Sequence, residues 1–263
     1  MALSADQVKA LAHTLHKAEH ERTPIGQLSE QYPNMTEAEA YAIQLALIGE
    51  KMAAHGSKVA GWKVGLTSKA MQQMLNVGQP DFGHLMDDMR LEPGQDLDVS
   101  SMIWPRVEAE VAFILKSDLR GPGVTADQAL AATEFLAPAL EIIDTRIRDW
   151  KIKLCDTIAD NASCGRFLIG KERTAPAGFD VKLIGLNYHL DDQLVSTATS
   201  AAVLGNPAYV VAWLANVLAP YGQYLQAGQV VMPGSLVAAL DAKPGHVIRA
   251  DFDRIGSVEL RLK

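Results

Sequence analysis

The stretch from Trp104 to Leu115 reads WPRVEAEVAFIL and carries two glutamates, Glu108 and Glu110, separated by one alanine. Side chains alternate across a β-strand, so both carboxylates project from the same face, roughly 7 Å apart along the chain. The opposite face is apolar and consists of Val107, Ala109, Val111, Phe113 and Leu115. This pattern predicts a strand that packs one face on the core and presents two acids on the other.

Two adjacent carboxylates repel each other unless a cation or a shared proton compensates their charge. A divalent ion with oxygen ligands is the simplest compensation, and it requires a third acid. Glu141 is the candidate, because it is the lone acid in the apolar run FLAPALEII at 135–143. An ionised carboxylate is rarely buried without a partner. The pair alone also fits a solvated strand face, and Glu141 alone fits an ion pair with Arg106 or Arg146. Taken together, the three acids favour a metal site.

The composition is that of a globular protein with a large core. The chain has 263 residues, of which 48% are hydrophobic and 21% are charged. A net charge of -7 and the lack of Lys/Arg runs interleaved with aromatic residues argue against a nucleic-acid surface. The N-terminus shows no signal-peptide pattern, and Cys155 and Cys164 do not form a disulfide framework. We therefore expect a cytoplasmic protein that acts on a small molecule.

The segment 193–240 contains no Asp, Glu, Lys or Arg. Gly205, Pro207 and Pro220 interrupt it, so it lacks the apolar run of ~18 residues that suggests a membrane span. A buried core or a subunit interface is the better interpretation. We expect no membrane association, and we expect a homo-oligomer.

Helix signals dominate the first sixty residues. Capping boxes at Ser4 and Thr36 each open a stretch with helical spacing, and Ser68 is placed to cap a short helix through Leu75. A further capping box at Thr125 places a helix between the two acidic strands, so these strands are expected to be neighbours in one sheet. The alternation typical of strands returns from Gln229 to the C-terminus.

A lysine stands between two glycines in the strand-like run GWKVG at 61–65. Alternation puts Gly61, Lys63 and Gly65 on one face. This leaves open space around the lysine, in which a ligand can approach the backbone. An edge-strand lysine that prevents aggregation fits the same pattern.

Two further segments carry polar groups. The run QPDFG at 79–83 is a turn-type sequence that contains Asp81. The segment 156–165 has too many hydrogen-bonding side chains to be plain core, and Asn161 and Ser163 are best interpreted as ligand or turn groups.

Six segments, in this order, resemble the 2-hydroxypenta-2,4-dienoate hydratases and the related 4-oxalocrotonate decarboxylases of the fumarylacetoacetate hydrolase superfamily. They are GWKVGLTS (61–68), QPDFG (79–83), PRVEAE (105–110), PALE (138–141), DNAS (160–163) and IGSV (255–258). The resemblance covers nearly the whole chain. It implies an α+β fold in which residues 67–263 form a mixed β-sandwich roll and residues 1–66 form a mainly helical N-terminal region.

The resemblance also implies the roles of individual residues. The acids that match the family's Mg²⁺ or Mn²⁺ ligands are Glu108, Glu110 and Glu141. The side chains assigned to substrate binding are Asn161, Ser163 and Ser235. Lys63 and Asp81 match catalytic positions, where Lys63 stabilises negative charge or transfers a proton and Asp81 is the base for the attacking water.

Two activities follow from the resemblance. A hydratase adds water to 2-hydroxypenta-2,4-dienoate and yields 4-hydroxy-2-oxopentanoate, in the meta-cleavage degradation of aromatic compounds. The alternative is decarboxylation of 4-oxalocrotonate (2-oxohex-3-enedioate). A non-enzymatic, metal-binding subunit that pairs with a homologous enzyme is a third hypothesis.

Segments near the expected site are similar to the hydratase branch. They are RDWKIK (148–153), SCG (163–165) and GSL (234–236). The N-terminal segments LSADQ (3–7) and YPNMT (32–36) are more similar to the decarboxylase branch. Because residues beside the site decide the chemistry, we predict a hydratase, either alone or complexed with a homologous decarboxylase or hydratase.

Overall fold

The computed structural model describes residues 2–69, 72–73, 76–178 and 180–263. Its helices are α1 (Ala5–Glu21), α2 (Leu28–Gln31), α3 (Glu37–His55), α4 (Ala126–Ala132), α5 (Leu154–Ala159) and α6 (Pro207–Leu218). Its strands are β1 (Val59–Gly65), β2 (Asp81–Met86), β3 (Arg90–Leu91), β4 (Arg106–Leu115), β5 (Thr133–Ile143), β6 (Cys164–Ile169), β7 (Gly185–Leu190), β8 (Gln193–Thr199), β9 (Val230–Met232), β10 (Leu240–Asp241), β11 (Val247–Phe252) and β12 (Gly256–Arg261). The helix predicted from Ser68 to Leu75 falls partly outside the described residues.

The N-terminal helices begin where the capping boxes predict. The Ser4 hydroxyl accepts from the backbone N–H of Gln7 at the start of α1, and the Thr36 hydroxyl accepts from that of Glu39 at the start of α3. Gly56 ends α3 in the left-handed conformation, with φ 68°. The helical part thus ends at His55, and the rest of the predicted N-terminal region contains β1, a strand of the main sheet.

The main sheet has the order β2-β1-β9-β4-β5-β6-β3, with β10 paired to β4. Strands β4 and β5 are antiparallel neighbours, as the sequence predicts, and Glu108 lies directly opposite Glu141. Strand β1 pairs with β2 on one side and with β9 on the other. The interpretation of Lys63 as an edge-strand lysine is therefore wrong.

A second sheet, with the order β12-β11-β7-β8, packs against β5 and completes the mixed roll of the α+β fold. The predicted apolar face of β4, which lies between β9 and β5 in the main sheet, is buried in the core. Its buried side chains are Val107, Ala109, Val111, Phe113 and Leu115. Burial of this face anchors β4 firmly, so the acids on its other face have a fixed position.

Helix α6 lies in the segment without charges and is a core helix. The stretch Ser200–Tyr221 is long and apolar enough to cross a membrane by length and composition, and half of its apolar window is buried inside the protein. Within it, α6 has only 12 residues, whereas a span needs ~20. Val210, Val211 and Leu214 of α6 are completely buried, so packing in the core accounts for their apolar character.

Candidate metal centre and active site

Three carboxylates converge on one point of the main sheet. Glu108 and Glu110 come from β4 and Glu141 from β5, and one oxygen of each lies within 4.8 Å of the others. Glu110 and Glu141 are completely buried, and Glu108 is partly exposed. Strand alternation brings the first two together, and the cross-strand register adds the third.

This cluster is electrostatically unfavourable without a cation. Burial, followed by repulsion from Glu141, raises the pKa of Glu108 to about 7. Burial and the two neighbouring acids raise the pKa of Glu110 well above its ordinary value. Like charges that share a low-dielectric site are stable only when they are neutralised by protons or by a positive ion.

The carboxylate oxygens fit a hard divalent ion. Glu110 Oε1 and Glu141 Oε2 are buried and have no hydrogen-bond partner among the described residues, and Glu141 Oε1 has only the ammonium of Lys63 close to it, at 3.1 Å. The second oxygen of Glu110 accepts from the backbone N–H of Gly234 at 2.7 Å, which fixes its orientation. Convergent carboxylate oxygens that protein donors satisfy only in part are the ligand set that Mg²⁺ or Mn²⁺ takes.

Lys63 lies beside the acid cluster and is buried, with 4% of its surface exposed. Its Nζ is 3.1 Å from Glu141 Oε1 and donates to the backbone carbonyl of Ala162 at 2.7 Å. Burial alone would lower the pKa of Lys63, but the charges of Glu141 and Asp81 outweigh it and hold the pKa above its ordinary value. The side chain is therefore a fixed ammonium ion.

The arginines expected as alternative partners of Glu141 bind elsewhere. Arg106 pairs with Asp241 and Arg146 with Asp160. The glycines that flank Lys63 also have a different role from the one expected. A Cβ on Gly61 would lie 2.0 Å from the carbonyl oxygen of Val230, and a Cβ on Gly65 would lie 2.3 Å from Asp81 Oδ1. Strand β9 and Asp81 occupy the space that the sequence suggested for a ligand.

Asp81 begins β2 and is 1% exposed. Its Oδ2 accepts from the Thr157 hydroxyl at 3.3 Å, and its Oδ1 has no hydrogen-bond partner among the described residues. Burial raises the pKa of Asp81, and the nearby Lys63 opposes this shift. A partly satisfied carboxylate of raised basicity is suited to accept a proton.

Residues 161–163 form a left-handed turn against β2. The φ angles of Asn161, Ala162 and Ser163 are 53°, 49° and 55°. The Asn161 side chain accepts from the backbone N–H of His84 at 2.7 Å and donates to the carbonyl of the same residue at 2.9 Å. Both polar groups of Asn161 thus anchor the turn, whereas the Ser163 hydroxyl lies 3.5 Å from that of Thr157.

Ser235 lies next to the acid cluster on the loop after β9. Its hydroxyl donates to the carbonyl of Val237 at 2.7 Å within the same loop. The group of this loop that contacts the cluster is the backbone N–H of Gly234. Gly234 has φ 119°, and a Cβ there would lie 1.8 Å from the Thr67 hydroxyl. Only glycine therefore fits at this position.

Sequence reasoning missed three groups of this site. They are the carbonyl of Ala162, the N–H of Gly234 and the hydroxyl of Thr157. Two of them are backbone groups, which carry no side-chain signal. Thr157 lies in the polar segment 156–165, and this position is the only feature of the sequence that indicates a role for Thr157 in the site.

The family model for the fumarylacetoacetate hydrolase C-terminal region matches residues 87–263. The chain belongs to the fumarylacetoacetate hydrolase family. Within this family it is similar to 2-hydroxyhexa-2,4-dienoate hydratase of Comamonas testosteroni, with 45% identity over 256 residues and 97% of each chain covered. It is 39% identical to 4-oxalocrotonate decarboxylase of Pseudomonas sp. (strain CF600), with 98% of each chain covered.

One solved structure has nearly the same fold. It is 4-oxalocrotonate decarboxylase from Pseudomonas putida G7, complexed with magnesium and adipate, with a TM-score of 0.95, 35% identity and 99% of each chain covered. The named relatives are therefore hydratases and decarboxylases, and both classes are lyases.

Proposed function

We propose that this protein is a divalent-metal-dependent lyase that adds water to 2-hydroxypenta-2,4-dienoate and yields 4-hydroxy-2-oxopentanoate. The observation that carries the proposal is the convergence of three carboxylates, two of them with unsatisfied oxygens, beside a buried ammonium and a buried acid. The hydratase relative at 45% identity supports the same activity. Hydration of such a dienol belongs to the meta-cleavage degradation of aromatic compounds.

The residues that would hold the ion are Glu108, Glu110 and Glu141, and magnesium is present in the structure of the decarboxylase relative. When bound, Mg²⁺ or Mn²⁺ supplies a Lewis acid for the oxygens of a 2-oxo acid. The Gly234 N–H keeps one oxygen of Glu110 occupied and leaves the other toward the centre of the cluster.

The residues around the acid cluster stabilise negative charge on the substrate, transfer protons and bind the substrate. The dienol ketonises to an unsaturated 2-oxo acid, and water then adds to its C4, so negative charge develops on the substrate oxygens in each step. Lys63 is a fixed cation beside that charge and stabilises it. Asp81 takes a proton from the attacking water through its free Oδ1, while Thr157 holds Oδ2. Ser163 binds the substrate. Asn161 and Ser235 contribute to substrate binding by fixing the loops in which they lie.

Decarboxylation of 2-oxohex-3-enedioate is the second candidate. The observation in its favour is the similarity of fold to 4-oxalocrotonate decarboxylase, with a TM-score of 0.95 over 99% of both chains. In that reaction Lys63 would stabilise the negative charge left when the C–C bond breaks. Asp81 would not need to activate water, so the two reactions place different demands on it.

An ultraviolet assay with the two substrates tests these proposals and the metal requirement. Freshly made 2-hydroxypenta-2,4-dienoate is expected to be consumed with Mg²⁺ and not after treatment with EDTA, because the acid cluster then lacks its ion. Added Mg²⁺ or Mn²⁺ restores the activity. Faster consumption of 2-oxohex-3-enedioate with release of CO₂ would assign the decarboxylase instead. No turnover of either substrate would favour the third hypothesis, a non-enzymatic, metal-binding subunit.

We propose that the protein acts as a homo-oligomer in the cytoplasm. Both cysteines are free, which fits a reducing compartment. Strand β8 is the outer strand of the second sheet and belongs to the segment without charges, and its Leu194 and Val195 are 56% and 45% exposed. An exposed apolar edge strand without charged residues is prone to pair with another chain.

Light scattering of the purified protein is expected to give a multiple of the 28.4 kDa chain mass. A Leu194→Lys/Val195→Lys variant places charges on this edge and is expected to shift the protein toward smaller species. A wild-type mass of one chain would refute the homo-oligomer. Co-purification with a homologous decarboxylase or hydratase would extend the proposal to a mixed complex.

A further inference from the structure

Arg146 is a buried cation that lies outside the acid cluster. It is 1% exposed, and its ion-pair partner Asp160 is completely buried. The guanidinium group also donates to two backbone carbonyls, those of Asp160 and Cys164. These residues directly precede and follow the left-handed turn 161–163, so one side chain holds both ends of the turn.

The turn needs such support because its backbone is disfavoured. Left-handed φ angles at three consecutive residues other than glycine are unusual, and such conformations persist only where the surroundings impose them. Besides the contacts of Asn161 with His84 of β2, the contacts that impose this conformation come from residues 144–146, which directly follow β5. The N–H of Asp144 donates to the carbonyl of Ser163, and the backbone N–H of Arg146 and the hydroxyl of Thr145 donate to Asp160 Oδ2.

The turn contacts the candidate active site through its middle residue. The carbonyl of Ala162, at the middle of the turn, accepts from Lys63 Nζ at 2.7 Å. The same Nζ is 3.1 Å from Glu141. The direction of the ammonium is therefore set by a carbonyl whose own position depends on the disfavoured turn.

We propose that Arg146 is a positioning residue for Lys63. By holding the carbonyls on both sides of the turn, its guanidinium group fixes the Ala162 carbonyl against the Lys63 ammonium and so aims the ammonium at the acid cluster. The effect on turnover rests on the function proposed above for Lys63, whereas the effect on the turn does not.

Arg146→Lys is the first test. Lysine keeps the positive charge but lacks the planar fork that reaches several acceptors at once. We expect kcat to fall by between ~10-fold and ~100-fold, as for a misplaced catalytic group, with KM changed by less than about twofold because Arg146 does not bind the substrate. Asp160→Asn removes the counter-charge and is expected to lower kcat in the same direction, which provides a second variant if Arg146→Lys folds poorly.

Lys51→Met is the matched control. Lys51 is 5% exposed, lines the same cavity of about 250 Å³ as Arg146, and pairs with Glu19 at 2.5 Å. Its ammonium makes no hydrogen bond to the turn. Loss of this buried cation is expected to lower the melting temperature but to leave kcat near normal. A loss of kcat in proportion to stability in all variants would identify Arg146 as merely structural and overturn the proposal.

Hydrogen exchange and a double-mutant cycle complete the test. Amide exchange in 160–165 is expected to rise in Arg146→Lys and not in Lys51→Met. In the Lys63→Met background, Arg146→Lys is expected to lower kcat no further, because both changes affect one interaction. Unchanged exchange, or losses that multiply, would refute the positioning role. If Lys63→Met itself kept normal kcat, the proposed function of Lys63 would fail, and the exchange result would still decide whether Arg146 holds the turn.

Discussion

A Lys63→Met variant is expected to lose about 100-fold in kcat, or ~3 kcal/mol of transition-state stabilisation, which is the usual effect of removing a preorganised charge from a buried site. Methionine has a similar length but carries no charge, so the site keeps its volume. The ammonium lies 3.1 Å from Glu141 and is fixed by the Ala162 carbonyl. Steady-state kinetics on 2-hydroxypenta-2,4-dienoate at saturating Mg²⁺ measures the loss.

Lys58→Met is the control for this prediction. Lys58 directly precedes β1, the strand that carries Lys63, but it is exposed. An exposed substitution shifts stability by only ~0.5 kcal/mol or less, so both kcat and the melting temperature are expected to stay near normal. Near-normal kcat in Lys63→Met would remove Lys63 from the chemistry.

The burial of Lys63 adds a second expected effect. Without its ammonium, Glu141 loses its buried ion-pair partner. The melting temperature of the metal-free variant is therefore expected to fall, and Mg²⁺ is expected to restore much of it, since the ion binds the folded state. An exposed edge lysine would show neither effect.

The acid cluster could be predicted from the sequence because it depends on local rules. Alternation along β4 places Glu108 and Glu110 on one face, and a lone acid in an apolar strand singles out Glu141. The capping boxes of α1 and α3 are local as well, and both form as predicted. For these features the decisive neighbours lie within a few residues along the chain, whereas the approach of Glu141 to the other two acids also depends on the pairing of β4 with β5.

The surroundings of Lys63 could not be predicted in this way. The groups that fix it belong to β9 and to the turn at 161–163, about a hundred residues or more along the chain. The glycines beside it suggested space for a ligand, but Val230 and Asp81 fill that space in the fold. Asn161 is a comparable case, because an amide side chain can form hydrogen bonds equally well with a ligand or with the backbone. In the fold, the backbone of His84 takes both hydrogen bonds of the Asn161 side chain.

Substitution of a cluster glutamate by glutamine is expected to weaken Mg²⁺ binding by ~100-fold or more, because even the loss of an outer contact of a ligand costs 10- to 100-fold. A neutral amide is a poorer ligand for a hard cation than a carboxylate. Glu110→Gln and Glu141→Gln remove a ligand with a buried, unsatisfied oxygen, and Glu108→Gln removes the third. Titration calorimetry measures the affinity, and excess metal is expected to restore part of the activity.

Thermal melts separate loss of the ion from loss of the fold. Wild-type protein at [Mg²⁺] about 100 times Kd gains ~2.7 kcal/mol of stability over protein in EDTA, and each glutamine variant is expected to lose most of this gain. In EDTA the Glu108→Gln and Glu110→Gln variants are expected to be at least as stable as wild type, because one of three repelling carboxylates is gone. Glu141→Gln also removes the ion-pair partner of the buried Lys63 and is expected to be less stable in EDTA. Glu134→Gln, an exposed change on the same strand as Glu141, serves as the control and should behave like wild type. Full activity of all three cluster variants in EDTA would show that these acids do not hold the catalytic ion.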